Sequence, residues 1–289
     1  MDREQPVSAS PPDLKARATS RAAGLPGVKH VIAVASGKGG VGKSTTSCNL
    51  ALGFAALGLK TGILDADIYG PSQPKLFGLR GKPRQLGPRM LEPMDRFGVK
   101  VMSIGFLVEE DLAMIWRGAM VISAITQLLR EVAWGDLDIL VIDLPPGTGD
   151  AQLTMAQQAP LAGAVIVSTP QDIALIDARR GIAMFEKVNI PILGLIENMS
   201  AFCCPACQKL TPIFGHGGAR QDAERRGIPY LGEIPLDIKI RETSDDGRPV
   251  VATEPDGVHA RHYIAIARDV WTTIISGAAS RPPPRIIIE

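Results

Sequence analysis

The chain has 289 residues, and its 31 Lys and Arg against 30 Asp and Glu leave a formal net charge of +1. That balance offers no charge field for a nucleic-acid backbone or an anionic membrane, and 4% aromatic residues leave little for a base-stacking surface. No apolar run reaches the ~20 residues of a membrane span, and four cysteines are no disulfide framework, which favours a reducing, intracellular setting.

Residues 1–29 are rich in Pro, Ser, Ala and Arg without an apolar period and read as a disordered leader. Asp2, Glu4 and Asp13 are unlike the acid-poor composition of a transit peptide. Val31 to Ala35 is a short apolar run, read as a buried strand. Gly37 to Thr45 then spells G-K-G-G-V-G-K-S-T, which satisfies G-x-x-x-x-G-K-[ST] and adds a second lysine, Lys38. Gly37, Gly39, Gly40 and Gly42, with Val41 among them, let backbone N–H groups turn inward around phosphate oxygens. Lys43 would reach the β- and γ-phosphates of ATP, and the Ser44 hydroxyl would ligate Mg²⁺. A helix from Ser44 to Leu57, capped by Gly58, places the loop at a helix N-terminus, where an anion is favoured.

Thr61 to Asp65 is the next strand. Asp65 and Asp67 at its end can orient Mg²⁺ or an attacking water. Val99 to Ile104 is a strand, and Ala119 to Val132 a helix with Ile122, Ile125, Leu128 and Leu129 in helical register. Leu137 to Asp143 is a buried strand that delivers Asp143 as a Walker B aspartate would be delivered. Gly147 and Gly149 in the following loop are candidates to give a backbone N–H to a γ-phosphate. Gly163 to Ser168, Ile192 to Glu197 and Tyr230 to Ile234 are strands; Ile173 to Val188 and Val258 to Ile275 are helices. Continuous Val, Ile and Leu runs separated by helices predict an α/β fold, a single doubly wound, mostly parallel sheet with helices on both faces. Such sheets bind ligands at the carboxyl ends of their strands, where every motif here falls.

Cys204 and Cys207 form a C-x-x-C, a spacing that lets two thiolates share one metal centre. Three chemistries stay open. A zinc site needs four ligands, and His216 is a possible third. A redox pair normally opens a helix, whereas Pro205 and the polar run after it predict an exposed loop. Two pairs in a symmetric dimer supply the four thiolates of a [4Fe–4S] cluster. Cys48 reads as a small core residue, Cys203 as a packed or solvent-facing neighbour, and Trp116, Trp134 and Trp271 as core or cap aromatics.

Four segments, in this order, carry a resemblance: Gly-Lys-Gly-Gly-Val-Gly-Lys-Ser-Thr, Asp-Ala-Asp-Ile-Tyr-Gly-Pro-Ser, Asp-Leu-Pro-Pro-Gly-Thr-Gly-Asp and Asn-Met-Ser-x-Phe-x-Cys-Pro-x-Cys. The chain resembles the Mrp-type iron–sulfur cluster carrier ATPases. These belong to the deviant Walker A group, with the septum-site, plasmid-partition and nitrogenase iron proteins. The segments around Gly105–Glu110 and Trp116–Gly118 are similar to the mitochondrial branch that assembles respiratory complex I, and to its bacterial cousins.

The resemblance implies a SIMIBI-like P-loop NTPase domain over residues 30–276, a cluster loop near 198–210 and a tail over 277–289. It implies that Lys38 is the signature lysine reaching the partner's nucleotide across a homodimer. Lys43, Ser44 and Thr45 match the phosphate- and Mg²⁺-binding end of the loop. Asp67 matches the carboxylate that positions water, Asp143 the Walker B aspartate, Asn198 and Pro235 the frame of the adenine, and Cys204 and Cys207 the cluster ligands. The implied activity is slow ATP hydrolysis coupled to carrying a [4Fe–4S] cluster to apo iron–sulfur proteins. The implied setting is the bacterial cytoplasm, with the mitochondrial matrix as the alternative, and no nucleic acid or stable membrane insertion is expected. Two other readings compete: a nucleotide-switched positioning ATPase without metal, and an ATPase in which zinc on Cys204 and Cys207 is structural.

Overall fold

Burial on both faces sets the strand order of this protein. In the computed structural model, which describes residues 24–107 and 118–277, Ile32, Ala33 and Val34 of β1 (Val28–Ala35) are wholly inaccessible. So are Ile139 to Asp143 of β5 (Leu137–Asp143). Such runs have no polar face to show to water and belong in the middle of a covered parallel sheet. Between them in the chain lie α1 (Lys43–Ala56), β2 (Thr61–Asp65), α2 (Gln73–Leu76), β3 (Met94–Arg96), β4 (Val99–Ser103) and α3 (Gly118–Arg130). After β5 come α4 (Asp150–Gln158), β6 (Leu161–Ser168), α5 (Asp172–Lys187), β7 (Ile192–Cys203), β8 (Leu210–Thr211), α6 (Gly218–Arg226), β9 (Tyr230–Leu236), α7 (Ile238–Asp245), α8 (Val250–Thr253) and α9 (Val258–Ser276).

The nine-stranded sheet runs β3-β4-β2-β5-β1-β6-β7-β8, with β9 also beside β7. Only β3 and β8 are antiparallel to their neighbours. The expected doubly wound, mostly parallel sheet is therefore the observed one. Helix α1 packs against α9, with Cys48, Phe54 and Tyr263 fully buried. Cys48 is the small core residue expected, and burial pushes its thiol well up. Trp134 is buried with its indole N–H donating to the Leu129 carbonyl, and Trp271 meets His30 edge-on. Trp116, the 108–117 segment, the leader as far as residue 23 and the tail from residue 278 lie outside the described residues.

One expectation needs correction. The strand expected to end at Glu197 continues to Cys203, and β8 folds back on its end with Phe202 opposite Thr211 and Cys203 opposite Leu210. The C-x-x-C thus lies in the expected exposed loop, which is the tip of a β-hairpin. Asn198-Met199-Ser200 is polar and irregular in sequence, so its strand character comes from pairing with β9 rather than from local preference. Helices α4 and α6 also lack a strong apolar stripe. Helix α6 is held from the sheet: the buried Glu197 carboxylate accepts from the N–H groups of Gly217 and Ala219 at 2.8 Å each.

Candidate nucleotide site and thiol hairpin

The loop between β1 and α1 folds as its glycines permit. Gly40 and Gly42 have φ of 80° and 78°, and Gly42 is the N-cap of α1. A Cβ on Gly37 would overlap the Asp177 backbone carbonyl of α5, so helix and loop touch directly there. These turns leave a cradle of backbone at a helix N-terminus, the arrangement that fits phosphate. Lys38 is partly exposed, and its ammonium has no acceptor among the described residues. Thr45 is partly exposed and gives its carbonyl to the Asn49 amide at 2.9 Å.

Lys43 turns inward. Its side chain is 6% exposed and its Nζ donates to Asp143 Oδ1 at 2.5 Å and to Ser44 Oγ at 3.1 Å. Asp143 is fully buried and hydrogen-bonded at both oxygens: Oδ1 also accepts from Ser47 Oγ at 2.9 Å, and Oδ2 accepts from Gln73 Nε2 at 2.8 Å. The same Gln73 nitrogen donates to the Ser44 carbonyl at 3.1 Å. A buried charge persists when it is paired and hydrogen-bonded in this way.

The two aspartates after β2 have different work. Asp65 is spent on scaffolding: it accepts from the N–H groups of Asp67, Ser72 and Gln73 and from Ser103 Oγ, at 3.0 to 3.1 Å. Burial, and next the Asp143 charge, push its carboxyl up to about 7. Asp67 instead approaches Lys43, with Oδ2 4.0 Å from Nζ, and its Oδ1 is buried without a hydrogen-bond partner. Burial raises its carboxyl while Lys43 pulls it down. Of the pair expected to orient Mg²⁺ or water, only Asp67 has an oxygen left to do it. Ser44 and Asp143 offer hard oxygen donors that fit Mg²⁺, and the orphaned Asp67 oxygen fits a hydrogen bond from a water beside it.

In the loop after Asp143, the Gly147 N–H donates to the Ser36 carbonyl at 3.0 Å, so it would have to leave that bond to meet a γ-phosphate. Gly149 is the N-cap of α4.

Strand β7 joins the two halves of the site. Asn198 pairs with Ile234 of β9, and its Nδ2 donates to the Val41 carbonyl in the phosphate loop at 2.8 Å. Pro235 follows Ile234 and is half-buried on β9, a position that tolerates a missing N–H because β9 has only β7 as a partner. Between Asn198 and Phe202 the pairing slips, with Met199 at φ 57°, and this bulge turns β7 outward into the hairpin. At the tip, the Gln208 N–H donates to the Cys204 carbonyl at 2.8 Å, and the Cys204 N–H to the Lys209 carbonyl at 3.1 Å. Cys204 is half-buried and Cys207 exposed. Backbone N–H groups of Cys207 and Ala206 lower the Cys204 thiol. The Cys203 thiol faces Gln208 instead, 3.6 Å from its Oε1. His216, considered above as a zinc ligand, pairs with Glu233 at 3.1 Å.

The sequence signal missed Ser47 and Gln73. Ser47 lies one turn after Lys43, so helical spacing alone could have shown it. Gln73 has no such cue, because only the fold of the 66–72 turn brings it to Asp143.

The protein-family model described as ParA, NUBPL iron-transfer P-loop NTPase matches residues 27–271. The chain is 54% identical to the Arabidopsis thaliana "iron-sulfur protein required for NADH dehydrogenase, mitochondrial", over 85% of this chain and 79% of that protein. It is 53% identical to the Escherichia coli "iron-sulfur cluster carrier protein", over 84% of this chain and 66% of the other. Among solved structures, a nucleotide-binding protein from Archaeoglobus fulgidus in complex with ADP, with cobalt, is 44% identical. That match has a TM-score of 0.70 and covers 81% of this chain and 91% of that one.

Proposed function

Since the chain belongs to the ParA-type NUBPL iron-transfer P-loop NTPases, we propose that it binds and slowly hydrolyses ATP while carrying a [4Fe–4S] cluster across a homodimer to apo iron–sulfur proteins. One observation carries this reading. A single strand, β7, touches the phosphate loop through Asn198 and ends at two accessible thiols, so a change at the nucleotide has a short covalent route to the cargo.

The residues divide the chemistry as follows. Gly37 to Thr45 cradle the phosphates, and Asn198 and Pro235 border the adenine. Lys43 exchanges Asp143 for phosphate oxygens, and Lys38 reaches the partner's nucleotide. Ser44 and Asp143 would hold Mg²⁺, which would supply charge neutralisation on the β- and γ-phosphates. Asp67 accepts a hydrogen bond from water and aims the water oxygen at the γ-phosphorus; the new P–O bond forms as the bond to ADP breaks, and the water's protons leave with the inorganic phosphate or to solvent. Cys204 and Cys207 supply two thiolates per chain, and two chains supply the four that a [4Fe–4S] cluster takes. Exposed Leu210 and Ile213 beside the tip give a recipient an apolar foothold. No described helix is long and apolar enough to cross a membrane. The working compartment in this reading is the bacterial cytoplasm, with the mitochondrial matrix of the Arabidopsis relative as the other setting.

Anaerobic reconstitution with iron and sulfide tests the cargo. The reading expects brown protein that bleaches in air, an iron content lost in Cys204→Ala and Cys207→Ala, and a dimer by light scattering. Iron content unchanged in both variants would rule out the thiol assignment, and a monomer with ATP, iron and sulfide present would rule out the shared centre. Colourless protein holding stoichiometric zinc would instead support structural zinc.

A further inference from the structure

Gln73 is fully buried, yet half of its amide is unspent. Its Nε2 is committed twice, to Asp143 Oδ2 at 2.8 Å and to the Ser44 carbonyl at 3.1 Å. Reversing the amide would set Oε1 against a carboxylate oxygen and a carbonyl, so only this orientation satisfies donor and acceptors. Oε1 is then left buried with no hydrogen-bond partner. The side chain has little freedom to relieve this, because its own backbone N–H is tied to Asp65 Oδ2 at 3.0 Å.

A second orphan lies in the same group. Asp67 Oδ1 is buried and unpartnered, on a carboxylate 4.0 Å from the Lys43 ammonium that pairs with Asp143. Two orphaned acceptors on side chains that touch one Lys43–Ser44–Asp143 cluster are costly unless a donor arrives. Mg²⁺ keeps several of its waters when protein-bound, and those waters are donors.

Resting on the nucleotide reading above, we propose that Gln73 is a positioning residue for hydrated Mg²⁺. Its Nε2 fixes Asp143, and its Oε1 accepts a hydrogen bond from a metal-bound water. The side chain thus ties the β5 carboxylate to the turn that carries Asp67.

Mn²⁺ serves as the probe, titrated by electron paramagnetic resonance into the ADP-bound protein. Gln73→Met and Gln73→Leu remove both polar atoms while keeping an apolar side chain of similar bulk. The expected result is a loss of about 10–100-fold in Mn²⁺ affinity, the usual scale for a group that orients metal ligands, with metal-free ADP affinity held at the wild-type value. Unchanged Mn²⁺ affinity in either folded variant overturns the proposal. So does a parallel loss of both affinities, which marks a merely structural side chain. In ¹⁵N-labelled native protein, Mn²⁺·ADP should broaden the Gln73 side-chain amide where Mg²⁺·ADP does not, and an amide that stays sharp overturns the proposal without any variant. Native protein that binds no ADP at all overturns the nucleotide reading itself, a result separate from any of these.

Discussion

Lys43→Met offers a test of the buried pair on which the site is built. Methionine keeps an unbranched side chain, one atom shorter, and removes its charge. Among the described residues Lys43 is the cation on Asp143, and both groups are buried. Leaving one member of a buried pair uncompensated costs about 3–5 kcal/mol. Ser47 and Gln73 still hold Asp143, which favours the lower end, while Asp65 adds like charge close by, which favours the upper. For a domain of this size, about 2–4 °C per kcal/mol converts that cost to a fall of about 6–20 °C in Tm. Circular-dichroism melts at pH 7.5 without nucleotide read it directly. The double variant Lys43→Met/Asp143→Asn should recover much of the loss, because no charge is left stranded. A single variant melting within about 2 °C of wild type, or a double variant no better than the single, would refute the reasoning.

Three other outcomes follow from the geometry. Gly37→Ala should fail to yield soluble, folded protein, since its Cβ would overlap the Asp177 backbone rather than a movable side chain; a soluble variant with wild-type ADP affinity counts against that contact. Asn198→Ala strands the Val41 carbonyl and should cost about 1–3 kcal/mol, with weaker ADP binding; an unchanged melting temperature removes Asn198 as a brace of the loop. Asp65 has a folded-state value of about 7 against an unfolded value near 3.8. Its contribution is therefore present at acid pH and lost as pH rises towards and through 7. The stability of wild type minus that of Asp65→Asn should accordingly decline between about pH 4 and 7 and level off above that, and a flat or rising difference across that window in urea melts contradicts it.

The parts of this molecule legible in its sequence are those where local and global demands agree. Val31–Ala35 of β1 and Ile139–Ile142 of β5 are continuous apolar stretches because both faces are covered there, and the phosphate loop needs glycine wherever its backbone turns. Asp143 follows from its place at the end of β5. What stayed hidden depends on contacts distant in sequence. The division of labour between Asp65 and Asp67 is decided by which one meets the Ser72–Gln73 turn and Ser103. Strand β7 runs six residues past Glu197 because β9 and β8 complete its ladder. The Gly147 N–H is held by the Ser36 carbonyl, a contact across the site that no local pattern announces.

The bareness of the hairpin tip has a practical corollary. Cys207 is exposed and Cys204 only half-buried. Whatever the two thiols hold is as open to dissolved oxygen and to stray metal ions as it is to a receiving protein. The colour and metal content of a preparation handled in air therefore report the handling, and only material kept under nitrogen from lysis onward reports the load carried in the cell.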